Sequence, residues 1–442
     1  MIAQEYFNKI SDHLQTLLSG DEFFTADFQS EDSDFVRFNK SEVRQAGAVM
    51  QKGISLDLIE GKRHANGTIS LTGQYDLDRP RIEKMVSDLR EQRKHLPEDP
   101  YLQVSENVQS TDRKMENHLP DGGAAVSEIR QAGQGRDLVG IYASGGIHSG
   151  FANSLGQRNW YSNYSYNLDW SFYHQQDKAV KTGYAGFEWK PEEFSRKVNW
   201  ASEQLNVLSH EPQTINPGKY RAYLAPAALY DIIGVMSWGG FGLKSHKTKQ
   251  TPLLKMVTGE EQLNPAITIV ENTKEGISPQ FQEQGYLRPD QVTLINEGQY
   301  QDCLVSPRSG KEYGVATNGA GASESPESID VAAGRIPMEQ TLKELDTGIF
   351  INNVWYLNFS DRVACRTTGM TRFATFWVEN GEIKAPLNVM RFDETIYQML
   401  GSNLVGLTEE REMILDAGSY FRRATSSGRL PGVLVDDFTL TL

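Results

Sequence analysis

Residues Gly218–Gly239 read GKYRAYLAPAALYDIIGVMSWG. Tyr220–Leu224 carries the aromatic and apolar side chains of a short strand, and Pro226 stands where a helix begins, its fixed φ suited to the first turn. Ala227–Met236 is apolar enough for a buried helix, with Asp231 its one charged side chain. No histidine, cysteine or glutamate lies between Gly218 and Gly239. This strand-turn-helix therefore offers almost nothing to a zinc ion and no usual general base.

Around this segment the chain is 442 residues long, enough for two domains with cores of their own. It is 38% hydrophobic and 10% aromatic, which places it among folded globular proteins. With 44 basic against 58 acidic residues the net charge is −14, so the surface as a whole repels a phosphate backbone and nucleic acid is excluded as a partner. Apolar runs such as Ala225–Met236 are too short to span a bilayer, and residues 1–18 lack the basic start and apolar run of a secretion signal. The sequence points to a soluble cytoplasmic protein without a membrane partner. Cys303 and Cys365 fit a reducing compartment and read as two buried thiols, with a disulfide as the alternative.

Helical spacing of Ile2, Tyr6, Ile10, Leu14 and Leu17, stopped by Gly20, predicts an amphipathic first helix. From Phe35 to Leu71 the period changes to two: Ile54, Leu56 and Leu58 alternate with Ser55 and Asp57, and Asn66-Gly67 reads as the turn before Ile69 and Leu71. Asp78 is expected to cap a helix starting near Arg79-Pro80, with Ile82, Met85, Val86 and Leu89 as its stripe. Ser105–Gly135 reads as mostly irregular, with a short helix at Val126 and Ile129. Tyr164, Tyr166, Leu168, Trp170 and Phe172 then alternate with Ser165, Asn167, Asp169 and Ser171, the clearest strand in the chain. A helix follows Pro191, and the proline-bearing segment His210–Pro217 is the expected linker. These elements divide the chain into an N-terminal helix-on-sheet domain, 1–215, and a β-rich C-terminal domain, 216–442. In the latter, strands are expected at Ala266–Val270, Val292–Asn296, Gly348–Asn358 and Arg372–Val378, and helices at Pro337–Leu345 and Glu409–Leu415. The fold class is α+β.

Several segments, taken in order, resemble the TldD/PmbA family, the modulators of DNA gyrase. They are RFNKSEVRQAG (Arg37–Gly47), GFANSLGQRNWYS (Gly150–Ser162), FQEQGYLRPDQVTLINEGQYQDCLVS (Phe281–Ser306), RTTGMTRFATFWVENGEIKAPLNVM (Arg366–Met390) and LPGVLVDDFTL (Leu430–Leu440). Each is a weak pattern of glycine turns and alternating strands; in this order over nearly the whole chain they are specific. In catalytic members the helix of the opening segment carries an H-E-x-x-x-H zinc motif. Counted from the shared G-K-Y, its three positions fall on Gly234, Val235 and Gly239, none of which binds zinc or moves a proton through a side chain. A further cysteine ligand of the catalytic branch has no counterpart in Ala417–Gly428. The lysine-bearing stretch Leu243–Thr258 departs from the family pattern and reads as a solvated loop.

The resemblance to the PmbA/TldE-like branch implies long curved antiparallel sheets in the C-terminal domain. It also implies a non-catalytic subunit beside a TldD-like metallopeptidase subunit that supplies the zinc, with no cofactor in this chain. Unfolded peptide would be the substrate; family members mature a microcin and degrade an antitoxin. The alternative reading is a homodimeric peptide-binding protein without enzymatic activity, and the sequence leaves homodimer and heterodimer both open for the chain alone.

Other chemistry finds less support. His210-Glu211 runs into Pro212 instead of a zinc-binding helix, and His148 and Ser149, as strand neighbours, point to opposite faces. Asp231, Glu260 and Glu261 offer carboxylates to a hard cation but no anchored third ligand. The aromatic strand allows two readings. Tyr164, Tyr166 and Trp170 form either the inner face of a sheet or a groove where rings receive the side chains of an added peptide strand.

Overall fold

The computed structural model describes residues 2–175 and 178–442. Its N-terminal half begins with helix α1 (Ala3–Leu17) and a meander of long strands, β1 (Phe23–Asn39), β2 (Glu42–Glu60) and β3 (Arg63–Leu71). Helix α2 (Tyr75–Arg93) follows, then β4 (Thr111–Lys114), α3 (Gly122–Gly133), β5 (Asp137–Asn153), β6 (Arg158–Gln175), β7 (Lys178–Gly186) and α4 (Pro191–Leu208). The sheet runs β3-β2-β1-β5-β6, and β4 and β7 share the outer edge of β6. Tyr6, Phe7 and Ile10 of α1 and Ile82 and Leu89 of α2 pack on Phe24, Phe28, Ile54 and Trp160 of the sheet. The period-two and period-3.6 patterns thus meet in one buried layer.

Two local expectations are corrected here. Asn66 and Gly67 lie inside β3, and the turn is at Glu60–Lys62. Gly67 is small because a Cβ there would stand 3.3 Å from Leu89 of α2. Helix α2 starts three residues before Asp78, with Pro80 inside it. The fully buried Asp78 carboxylate reaches back instead, accepting from the Thr72 and Gly73 amides at 2.9 and 3.1 Å and from the Tyr6 hydroxyl at 2.6 Å. It anchors the turn before the helix without being the cap residue itself.

The C-terminal half opens with β8 (Gly218–Leu224) and α5 (Pro226–Met236), followed by the short helices α6 (Leu243–Lys247) and α7 (Leu254–Val257). Short strands β9 (Ile269–Glu271), β10 (Val292–Asn296) and β11 (Gln299–Tyr300) precede α8 (Pro307–Tyr313), β12 (Ser328–Val331) and α9 (Thr341–Leu345). The long strands are β13 (Gly348–Asp361), β14 (Arg366–Glu379), β15 (Glu382–Pro386), β16 (Arg391–Thr395), β17 (Leu404–Leu415) and β18 (Ser427–Leu440). β8 pairs with β13 and with β18, and β16 joins β14 to β18, so five strands of the eleven-stranded sheet close into a ring. Leu229, Ile232, Ile233 and Met236 of α5 fill its core together with Ile349, Ile351, Val433 and Val435.

The expected helix at Glu409–Leu415 is β17: Arg411 to Leu415 pair in register with Pro431 to Ser427. Glutamate and arginine favour a helix only weakly, and a full ladder against β18 overrides that preference. Leu243–Thr258, expected as a loop, holds α6 and α7 instead, and Lys244, Lys247 and Lys249 are exposed there. A shared core joins the halves, in which Tyr166, Trp170, Phe194 and Val198 meet Tyr223, Phe350, Phe376 and Leu434.

Candidate functional site

Helix α5 buries Leu229, Ile232, Ile233, Val235 and Met236 and turns Asp231 and Gly234 outward, with Trp238 exposed just beyond its end. The three zinc-motif positions do not converge. A Cβ on Gly234 would meet nothing within 4 Å, so that position opens to solvent. Val235 is buried, 4% exposed. Gly239 lies past the helix at φ +72, where a Cβ would stand 3.0 Å from Ser245 Oγ and 3.2 Å from Arg362 Nη2. Arg362 fixes this turn by donating from Nη2 to the Trp238 carbonyl at 2.5 Å and from Nε to the Gln250 carbonyl at 3.0 Å. Zinc does not fit here: one position faces water, one is a buried valine and one is crowded by Ser245 and Arg362. Among the described residues, no three His, Cys, Asp or Glu side chains gather as a metal site.

Facing the C-terminal loops is the second side of the N-terminal sheet, and it is polar. Register sets its rows: Glu31 of β1 lies across Ile147 of β5 from Asn163 of β6, and Ser33 lies across Gly145 from Ser165. Glu31, Ser33, Asn163 and Ser165 are each at most 2% exposed. Asn163 donates to Met115 Sδ at 3.0 Å and to the Tyr161 hydroxyl at 3.3 Å. Over Glu31 and Ser165 runs the loop Asp416–Ser426 between β17 and β18. Its Arg423 donates from Nη1 to the Ser165 carbonyl at 2.9 Å and from Nη2 to Ser165 Oγ at 2.7 Å. Arg422 donates to the Gln29 side chain. Gln51 Nε2 donates to the Phe421 carbonyl at 2.6 Å and to Glu31 Oε2 at 2.7 Å. Asn167 donates to the Leu415 carbonyl at 3.1 Å. A cavity of about 20 Å³ remains between Phe35, Ala143 and Asn167 and the loop residues Leu415–Ser419, room for about one water.

Burial dominates the electrostatics. Desolvation raises the Asp27 carboxyl to about 6, although Gln29 Nε2 donates to it at 2.8 Å and Arg422 is near. Asp231 touches solvent on the outer stripe of α5, yet the surrounding protein desolvates it enough to raise it to about 6. Lys181 opposes that rise and Asp169 adds to it. Lys181 in turn pairs with Asp169 at 3.2 Å. Burial lowers the pKa of Arg423, and the nearby Glu31 charge pulls it back up. The wall is thus an acidic, hydrogen-bonding surface held closed by two arginines.

The groove expected from the aromatic strand is not there. Tyr166 and Trp170 are each 1% exposed, sealed against α4 and the shared core, and Tyr164 is half-buried edge-on to His148 at 5.7 Å. Their alternation partners, Asn163, Ser165, Asn167 and Asp169, face the site instead. The signal was present in the same nine residues, since polar side chains that alternate with core aromatics must line the other face. Glu31 and Arg423 carry no such mark, because only the loop connecting β17 to β18 brings them together. His148 and Ser149 do point apart: His148 Nδ1 shares a hydrogen bond with Ser162 at 2.9 Å, and Ser149 donates to Gln29. Cys303 and Cys365 are free and buried, and burial pushes Cys365 up to about 12.

The fold has close counterparts among solved structures. It matches TldE from Thermococcus kodakarensis at a TM-score of 0.78 and 13% identity, covering 99% of this chain and 100% of that one. A modulator of DNA gyrase from Thermotoga maritima matches at 0.75 and 14%, covering 99% of each chain. A second such modulator, from Bacteroides thetaiotaomicron, matches at 0.73 and 14%, covering all of both chains. No curated protein matches the sequence. Residues 217–442 match the model of the PmbA/TldA metallopeptidase C-terminal domain. With residues 217–442, more than half of its length, matching that model, this chain belongs to the PmbA/TldA metallopeptidase family.

Proposed function

We propose that this protein is the non-catalytic, PmbA/TldE-like subunit of a two-subunit metallopeptidase that acts on unfolded peptides. Its TldD-like partner would hold the zinc, the nucleophilic water and the general base. This chain would contribute half of the enclosure and a polar wall along which an extended substrate runs. The observation that carries the reading is the divergence of Gly234 and Val235 on α5 and Gly239 in the turn beyond it, where a catalytic subunit needs three side chains to meet. Residues 1–215 and 216–442 would act as the two domains of the subunit, and the complex would work in the cytoplasm without binding nucleic acid.

Support comes from the family and from the polar wall itself, whose amide and hydroxyl groups suit peptide backbone more than a sequence-specific side-chain code. The test is native mass spectrometry of the tagged protein isolated from its own cell. The expected mass is this chain plus one different subunit and a single zinc ion. A metal-free homodimer that captures peptide would replace the proposal with the binding-protein reading. A zinc-loaded homodimer that hydrolyses peptide would overturn both.

A further inference from the structure

Loop Asp416–Ser426 is joined to the rest of the chain in an unusual way. Its tip, Tyr420 and Phe421, is 87% and 88% exposed, while two residues on Arg423 is only 7% exposed. Both arginines reach past the barrel to the polar face of the N-terminal sheet. On that face Glu31 Oε1 and Ser33 Oγ have no hydrogen-bond partner among the described residues, and each of these side chains is 2% exposed. A buried carboxylate oxygen without a donor is costly, so its persistence calls for a cause.

We infer that the loop occupies, within the chain, the place of a basic extended peptide. Arg422 and Arg423 fill the positions of consecutive cationic side chains, and the wall they cover selects arginine- or lysine-bearing segments. When the loop lifts, Asp27 and Glu31 lose their nearby guanidinium groups. The unpartnered oxygen of Glu31 then faces donors supplied by the incoming chain. Only a cationic ligand balances that surface, because bringing a neutral or acidic peptide onto it leaves buried carboxylates uncompensated. The inference rests on the peptide-wall reading above and adds the charge class of the peptide.

The probe is a fluorescent, unstructured nonapeptide of glycine, serine and alanine with two adjacent arginines, compared with a twin carrying glutamine in their place. Fluorescence anisotropy with the full chain is expected to show the arginine peptide binding at least about tenfold more tightly, an advantage that Glu31→Gln removes. Arg422→Ala with Arg423→Ala is expected to raise affinity for the arginine peptide about tenfold by emptying the site. Hydrogen exchange on the unmodified protein supplies a readout that needs no variant: residues 416–426 should lose protection when the arginine peptide is added, and keep it with the glutamine twin. Equal binding of the two peptides overturns the inference, as does unchanged loop protection at saturating arginine peptide. If that happens while a zinc-bearing heterodimer is still isolated, the subunit assignment stands and only the loop's role falls. If neither peptide binds the chain or its complex, the inference falls together with the peptide-wall reading it rests on.

Discussion

The two faces of β6 differ in character. One face presents Trp160, Tyr166, Leu168, Trp170 and Phe172 to helices and to the shared core, all nearly solvent-free. The other presents Tyr161, Ser165, Asn167 and Asp169 to loops of the C-terminal half. The aromatic face holds the halves together through area; its contacts are many, non-directional and insensitive to charge. The polar face holds them through a few directed bonds to one loop. Such a surface can be exchanged for a ligand, whereas the aromatic one cannot.

If this division is right, breaking the aromatic face should cost the most. Trp170→Ala deletes a fully buried ring that packs at 4.6 Å from Phe172, and about 3–5 kcal/mol of stability should go with it, read from denaturant midpoints. On the polar face the largest single effect should come from Arg423→Ala. It removes both bonds to Ser165 and the cation near the buried Glu31, and a loss of about 3 kcal/mol is expected. The double variant Glu31→Gln with Arg423→Ala should recover most of that loss. A double variant no more stable than Arg423→Ala alone would mean that the arginine acts only as a tether.

The sequence displayed the first face and concealed the second. Alternating aromatics announce a buried strand because their size and spacing leave few other fates, and β6, α4, α5 and β10 appear close to where the periodicity places them. Asparagine and serine between the aromatics read equally as solvated positions; only a loop some 250 residues away makes them a site. The same limit explains Glu409–Leu415. Its composition is helical, and the partner that makes it a strand lies beyond the next loop. At α5 the situation reverses. The identities of residues 234, 235 and 239 were legible as absences, but only the backbone shows that Gly239 sits in a left-handed turn outside the helix.

Titration should separate the faces with a smaller amplitude. Glu22, on the helix side, accepts from Arg90 at 2.7 Å and from Arg93 at 3.0 Å, and chiefly the Arg90 bond holds it down to about 2. A carboxyl lowered in the folded state adds stability above its ordinary value near 4.5, and that stability is lost as pH falls through 2. Asp27, on the site side, is raised to about 6, so its contribution has the opposite sign: present below about 4 and lost as pH rises through 6. Glu22→Gln should therefore destabilise at pH 7 and become neutral near pH 2. Asp27→Asn should be neutral near pH 4 and stabilise at pH 7 by about 1 kcal/mol, after discounting for its partial exposure. Melting curves across pH 2–8 that shift in parallel for both variants would erase the distinction.

The smallest effect tests the same contrast on α5. Gly234 is helical, points outward and has free space where a Cβ would go. Gly234→Ala should stabilise by about 0.5–1 kcal/mol, because alanine loses less backbone entropy than glycine in a helix. Gly239 has φ +72 and close neighbours in Ser245 and Arg362, so Gly239→Ala should destabilise by about 1 kcal/mol. Opposite signs at two positions five residues apart would mean that the helix ends before the place a second zinc ligand must occupy. Stabilisation by both would instead mean that the turn can wind into the helix. In that case Gly234→His, Val235→Glu and Gly239→His together should be tried for zinc binding, which the turn as it stands forbids.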